Sequence, residues 1–264
     1  MEKETNLIAS PVIDCLMAHR SIRKFKPEPV DPAVLDAILR AGVRAATAGC
    51  LQQYSLVVVD DPAIKERLAG EPDPQSCVVE APVVIVALVD VYRMKRWLAL
   101  NDAPFYNDHL VSLLIGFWDA VIALHNIVVG AESLGLGTVY IGTVLSMDIA
   151  DILKTPEYVV PAGMVCIGTP DETPPLRRRL PLEAVVHRNS YQIPTDDEIR
   201  AYYHERDQDW FQRSEEWRRE WEAKGIHNTA QRVTVGHYTE AFLTGESRGI
   251  LDNLRRAGFR LSED

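Results

Sequence analysis

Chemistry in this chain concentrates first in one short stretch, Ala18-His19-Arg20-Ser21-Ile22-Arg23-Lys24-Phe25. Four groups able to carry positive charge surround a hydroxyl, and Ile22 and Phe25 serve as apolar anchors within the run. Arginine offers a planar fork of donors that matches phosphate oxygens, serine adds a short donor, and histidine can donate from either ring nitrogen. The stretch therefore fits an anion site, with phosphate the natural ligand; it also fits a solvated basic turn between two helices. A second basic cluster, Leu176-Arg177-Arg178-Arg179-Leu180-Pro181, lies far along the chain. If both clusters faced one anion they would form a phosphate clamp, and a phosphate-bearing cofactor would then carry the chemistry.

The surrounding chain supports a cofactor protein and excludes several other classes. It has 264 residues and a formal net charge of -10, so a broad basic footprint for nucleic acid is not expected. Cys15, Cys50, Cys77 and Cys166 are scattered without CxxC or Cys/His spacing, so neither a disulfide framework nor a metal site is expected. GxSxG, HExxH and phosphate-loop signatures are absent, and Leu134-Gly135-Leu136-Gly137 lacks the GxGxxG order of a dinucleotide fold. The opening Met1-Glu2-Lys3-Glu4 has no basic lead, which points to a cytoplasmic protein. The most apolar region, Leu110 to Val129, is interrupted by Asp119, His125 and Asn126; it reads as a buried core helix with His125 as a satisfied core residue.

The elements that position these residues alternate between the two periods. Residues 6–18 read as an amphipathic helix, and Asp31 caps a second helix that begins at Pro32. The small-residue run Ala45-Ala46-Thr47-Ala48-Gly49-Cys50 follows, where another group can approach the backbone closely. Strands are expected at 55–59, 82–89, 138–141 and 164–167, with 82–89 buried on both faces because its β-branched run is almost continuous. Short helices are expected at 63–68 and 148–154, a loop at Gly70–Gln75, and a loop framed by Pro156 and Pro161. Trp97, Phe105 and Tyr106 either wall a pocket or pack. Beyond residue 194 the composition turns charged and aromatic, which predicts surface helices and a last helix over 247–257.

Five stretches in order resemble the nitroreductase-like FMN-dependent family, closest to its oxygen-insensitive major nitroreductase and NADPH–flavin oxidoreductase branch. They are His19-Arg20-Ser21-Ile22-Arg23; Leu51-Gln52; Gly135 to Gly142; Leu176 to Pro181 with Val186-His187-Arg188-Asn189-Ser190-Tyr191; and Glu246-Ser247-Arg248 with Ile250-Leu251-Asp252. The resemblance implies an α+β fold, a three-layer α/β/α arrangement with a mixed, mainly antiparallel sheet, in an intertwined homodimer with FMN at the subunit interface. It divides the chain into an FMN-binding core over 1–193 and a C-terminal helical excursion over 194–264, within a single domain overall. By position, His19, Arg20, Ser21 and Arg179 would hold the FMN phosphate, with Arg177 helping where the family usually has lysine. Arg23 would lie by the N1–C2 edge of the ring, Gln75 at the ring or ribityl edge, and Tyr140, Ile141, Gly142 and Thr143 along the ring. Thr47, Ala48, Gly49 and Cys50 would reach the cofactor of a second subunit, with fewer hydroxyls than the serine-rich relatives.

The activity implied is two-electron reduction of nitroaromatics, quinones, azo compounds or flavins in ping-pong order. NADPH is favoured over NADH as donor, and no catalytic side chain is needed beyond the flavin. Lys224, Arg232 and Arg213 are the cations available for a 2′-phosphate. Two other readings use the same motifs: a flavin reductase that supplies free reduced FMN to a partner enzyme, and a non-catalytic flavin-binding sensor.

Overall fold

The computed structural model describes residues 8–70, 75–211 and 214–262. In chain order its elements are α1 (Pro11–Met17), α2 (Pro32–Val43), β1 (Tyr54–Val59), α3 (Pro62–Leu68), α4 (Ser76–Glu80), β2 (Val83–Asp90), α5 (Tyr92–Ala99) and α6 (Leu110–Ser133). Then come β3 (Gly137–Ile141), α7 (Ile149–Leu153), β4 (Val159–Gly168), α8 (Asp196–Phe211), α9 (Glu215–Glu222), α10 (Thr229–Gly236) and α11 (Glu240–Arg256). The chain forms two units, one built from the residues up to Pro175 with Ser247 onward, the other from Leu176–Glu246.

The first unit is layered around an antiparallel sheet of order β1-β2-β4-β3. As its β-branched run predicts, β2 is buried on both faces. Successive side chains of a strand point to opposite faces, and the split is clean here. Val84, Val86 and Leu88 join a cluster with Leu68, Val78 and Ile149 of α3, α4 and α7. Val83, Ile85 and Ala87 join another with Ile38 of α2 and Ala120, Ala123, Leu124 and Ile127 of α6. Two helical layers thus sandwich the sheet, the three-layer α+β arrangement expected. Among the described residues, parallel pairing enters through two isolated bridges, Ser21 with Thr138 and His109 with Arg260. Helix starts follow local chemistry: Asp31 and Asp61 each precede a proline and accept from Ala33 N (2.7 Å) and Ile64 N (3.0 Å).

Three expectations need correction. Pro161 does not frame a loop but lies inside β4, opposite Leu88. Its missing N–H is tolerated because the β2–β4 register shifts between Ala87 and Leu88, and β3 pairs with β4 only from Met164 on. Helix α6 is not buried all round. Ser112, Leu113, Gly116, Ala120, Ala123, Leu124, Ile127 and Val128 face the core, but Leu110, Val111, Leu114, Trp118, Val121 and Ile122 form an exposed stripe. By length and composition alone α6 could cross a membrane, yet its inner face is committed to the sheet. His125 lies toward the exposed side, where Nδ1 meets the Tyr140 hydroxyl at 3.2 Å. Of the three aromatics after β2, Phe105 packs edge-on to Tyr158, while Trp97 and Tyr106 are exposed. Residues 6–7 of the first helix and 71–74 of the Gly70–Gln75 loop lie outside the described residues.

In the second unit, Ser214 caps α9 by accepting from Trp217 N (3.2 Å), and Asn228 caps α10 by accepting from Gln231 N (2.9 Å). Trp217 and Trp221 pack at 6.0 Å on α9, and Ile226 is buried. The last helix begins at Glu240, seven residues before the expected start.

Candidate functional site

The basic stretch after α1 is extended backbone docked on the sheet. Ile22 N donates to Thr138 O at 2.8 Å, and Lys26 N donates to Thr169 O at 2.9 Å. Ile22 and Phe25 are buried, as anchors should be. Two glycines receive them. A Cβ on Gly137 would stand 2.8 Å from the Ile22 side chain, and one on Gly168 would stand 2.5 Å from Pro82 and 3.0 Å from Phe25. Before the first anchor, His19, Arg20 and Ser21 are half-buried; between the two anchors, Arg23 and Lys24 are exposed. Glu172 Oε1 accepts from the backbone N–H groups of Arg23 (2.5 Å) and Lys24 (3.2 Å), which fixes the chain without consuming either cation.

Side-chain contacts order the first half of the stretch further. His19 Nδ1 lies 2.8 Å from Glu132 Oε1, and Thr138 Oγ1 donates to the same oxygen at 2.6 Å. Arg20 donates through Nε to Ala18 O (3.3 Å) and through Nη1 to Pro174 O (3.2 Å). A cavity of about 580 Å³ opens beside this segment, lined by Arg20, Ile22 and Gly137 and by the carboxylates Asp14, Glu132 and Glu172. With three carboxylates against one arginine, the charge balance of this cavity is wrong for an anion.

Strand β3 leads away from the His19–Arg23 segment. Ser21 pairs with Thr138, so Tyr140, Ile141, Gly142 and Thr143 follow within about 17 Å at roughly 3.3 Å per residue. Gly142 and Thr143 are exposed, and a Cβ on Gly142 would meet nothing within 4 Å. Partial burial, and then the Glu132 charge, push the Tyr140 phenol up from its ordinary value. Gln75 is exposed at the N-cap of α4. The Arg23 charge reaches this end as well. The Cys77 thiol, two residues past Gln75, is lowered to about 7 by the hydrogen bond with Cys166 and then, against burial, by Arg23. Cys166 is pushed up by the same hydrogen bond and by burial.

The small-residue run stands apart. Ala48, Gly49 and Cys50 are exposed, and Thr47 is half-buried. Gly49, Cys50 and Gln52 all have positive φ (57°, 58° and 50°). The run is held by α6: Asp119, 2% exposed, accepts from Ala48 N (3.0 Å) and Gln53 N (3.3 Å). Among the described residues no hydrogen bond or ion pair joins it to the 19–25 segment. Arg177 and Arg179 are exposed and belong to the second unit. There, Lys224 is already engaged, paired with Glu220 at 2.9 Å and over the Trp221 ring at 4.9 Å. Arg213 lies outside the described residues.

Sequence reasoning passed over Glu132, Thr138, Glu172 and Asp119. Asp119 left a signal, since it is a carboxylate inside an apolar run with no cation three or four residues away. Such a group must find backbone donors.

The comparisons with known proteins agree with one another. The nitroreductase family profile matches residues 16–169. An oxygen-insensitive NADPH nitroreductase of Salmonella typhimurium is 37% identical over 199 residues, covering 74% of this chain and 80% of the relative. Among solved structures, NfrA2 of B. megaterium superposes with a TM-score of 0.81 at 31% identity, covering 97% of this chain and all of that one. The NADPH:FMN oxidoreductase of Vibrio harveyi, solved with NAD+, superposes with a TM-score of 0.76 at 30% identity, covering 95% and 99%.

Proposed function

Since the chain belongs to the nitroreductase family, we propose that it works as a homodimer with FMN at the subunit interface, reducing nitroaromatics, quinones, azo compounds or flavins with NADPH as the preferred donor. It is a flavin-dependent NAD(P)H oxidoreductase. One observation carries the finer reading: the donor-rich segment His19–Arg23 is docked at the start of β3, whose far end opens at Gly142. Donors for a phosphate and an unobstructed strand end for a flat ring lie along one line, which fits FMN.

Bound there, FMN supplies hydride chemistry at N5, between the nicotinamide and the acceptor. The residues bind and orient. His19, Arg20 and Ser21 donate to the phosphate. Arg177 and Arg179 are assigned to it on the resemblance alone. Arg23 places positive charge at the N1–C2 edge, where negative charge gathers as the ring accepts electrons. Gln75 bonds the ring or ribityl edge, and the backbone of Tyr140, Ile141, Gly142 and Thr143 runs along the ring. A second copy contributes its own Thr47, Ala48, Gly49 and Cys50 run, mainly through backbone donors. Protons come from solvent, so no side chain acts as an acid.

The exposed stripe of α6, with Val12, Leu16 and Met17 of α1 also exposed, supports the dimer, because six large apolar side chains along one helix face call for a partner surface. A nicotinamide donor and four free thiols fit a reducing cytoplasm. The test is anaerobic stopped-flow of the FMN-loaded protein against NADPH and NADH separately. Fast bleaching of the flavin band by NADPH, then reoxidation by a quinone or nitroaromatic, is the expected result. A bound flavin that stays oxidised with both donors sinks the reductase reading and leaves the sensor. A preference for free FMN as acceptor, with weak retention, favours the flavin reductase.

A further inference from the structure

We propose that Glu132 is a positioning residue for phosphate recognition: it holds the His19 imidazole by Nδ1 so that Nε2 is presented to the cofactor's phosphate. The inference rests on the FMN reading and deepens it.

A carboxylate beside a phosphate subsite repels the ligand unless its charge is already engaged. Glu132 sits on the last turn of α6 with its side chain 13% exposed. One oxygen receives the Thr138 hydroxyl at 2.6 Å and faces His19 Nδ1 at 2.8 Å. The same Thr138 pairs with Ser21 through its backbone and accepts from Ile22 N. One carboxylate therefore ties together the histidine, the strand residue and, through that strand residue, the serine. The proton inventory then fixes the ring. An ionised carboxylate only accepts, so the proton between the two groups belongs on Nδ1. A phosphate oxygen also accepts, so Nε2 must donate when phosphate is bound, and the imidazole is then a donor at both nitrogens. The arrangement parallels the outer carboxylates that orient ligand histidines at metal centres.

The experiment compares FMN with riboflavin, which lacks the phosphate, by flavin fluorescence titration of wild-type protein, E132A, the near-isosteric E132Q, H19N and the double variant H19N/E132A. In E132A, FMN affinity is expected to fall about tenfold while riboflavin affinity stays within about twofold. E132A is expected to add nothing further in the H19N background, because the two residues act as one unit. Imidazole 15N shifts of His19 in the FMN-loaded wild type should show protons on both nitrogens. Equal losses for FMN and riboflavin, or additive losses in the double variant, would overturn the proposal and leave Glu132 a structural residue. E132Q makes the same comparison where E132A does not fold. A wild-type protein with no preference for FMN over riboflavin would overturn the phosphate reading itself, a result distinct from wild-type preference that survives in E132A.

Discussion

The stretch His19–Phe25 lies on the sheet because two apolar side chains, Ile22 and Phe25, enter the core at Gly137 and Gly168. The run Thr47–Gln53 has no anchor of that kind among its exposed residues; it is held by one buried carboxylate, Asp119, through two backbone amides. The first stretch contains no positive φ, whereas the second has three within four residues. Both present backbone and short polar groups to solvent. The first also has a carboxylate on two backbone amides, that of Glu172, so the difference is the buried apolar pair, which the second lacks. The first should therefore be sensitive to changes in volume at its anchors, and the second to loss of its carboxylate.

The largest effect is expected at Asp119. Asp119→Ala removes the acceptor of two amides, one of them buried, and should cost about 3–5 kcal/mol, since bonds to charged groups contribute roughly 1.5–3 kcal/mol each. Urea denaturation measures it. A loss below about 1 kcal/mol would mean the run is fixed by something other than Asp119. Asp119→Asn keeps one acceptor oxygen, so it should fall between the two. Gly137→Ala comes next. Its Cβ would collide with Ile22 at 2.8 Å, so overpacking of about 1–3 kcal/mol is expected. Flavin affinity should fall with it as the His19–Arg23 segment lifts off Thr138. If stability drops while FMN binding is unchanged, docking of that segment does not shape the anion subsite.

A pH effect is expected next, at the Arg23 end. The Cys77 thiol lies near 7 in the folded protein against an ordinary 9.0, lowered by the Cys166 hydrogen bond first and by Arg23. The unfolded chain therefore binds more protons in the window between those values, and stability should rise as pH rises from about 7 to 9. As pH falls through 7 the contribution is gone. Cys77→Ser should flatten the slope, and Arg23→Gln should reduce it. A wild-type slope that is already flat would show that burial of Cys77 cancels the charge.

The same contrast explains what could be read from the sequence. Volume and period are written in the residue types: the β-branched run of β2, the proline starts of α2 and α3, and the apolar pair Ile22 and Phe25 were legible because each acts by itself. The Asp119 and Glu132 bonds were not, because a carboxylate's partner is chosen by the fold; here Asp119 meets Ala48 and Gln53, 71 and 66 residues away, and Glu132 meets His19, 113 residues away. Pro161 misled for a related reason, since its place in β4 depends on a register shift in the neighbouring strand. The α6 stripe misled because apolar composition does not distinguish a face that packs on its own sheet from a face left for a partner.

The smallest effect tests the backbone half of the comparison, through its sign. Cys50 is exposed with φ 58°. A side chain in the left-handed region costs about 1–2 kcal/mol, while glycine's extra freedom in the unfolded chain costs about 0.5–1 kcal/mol. Cys50→Gly should therefore stabilise the protein, by about 0.5 kcal/mol. Lys24 is also exposed, but no residue of its stretch has positive φ. There is no strain to relieve, so Lys24→Gly should destabilise by about 0.5–1 kcal/mol. Denaturant midpoints of the two variants, measured side by side, should move in opposite directions. Movement in the same direction would mean that Asp119 holds the 47–53 run in a conformation without strain, and the difference between the two segments would then reside in the buried apolar pair alone.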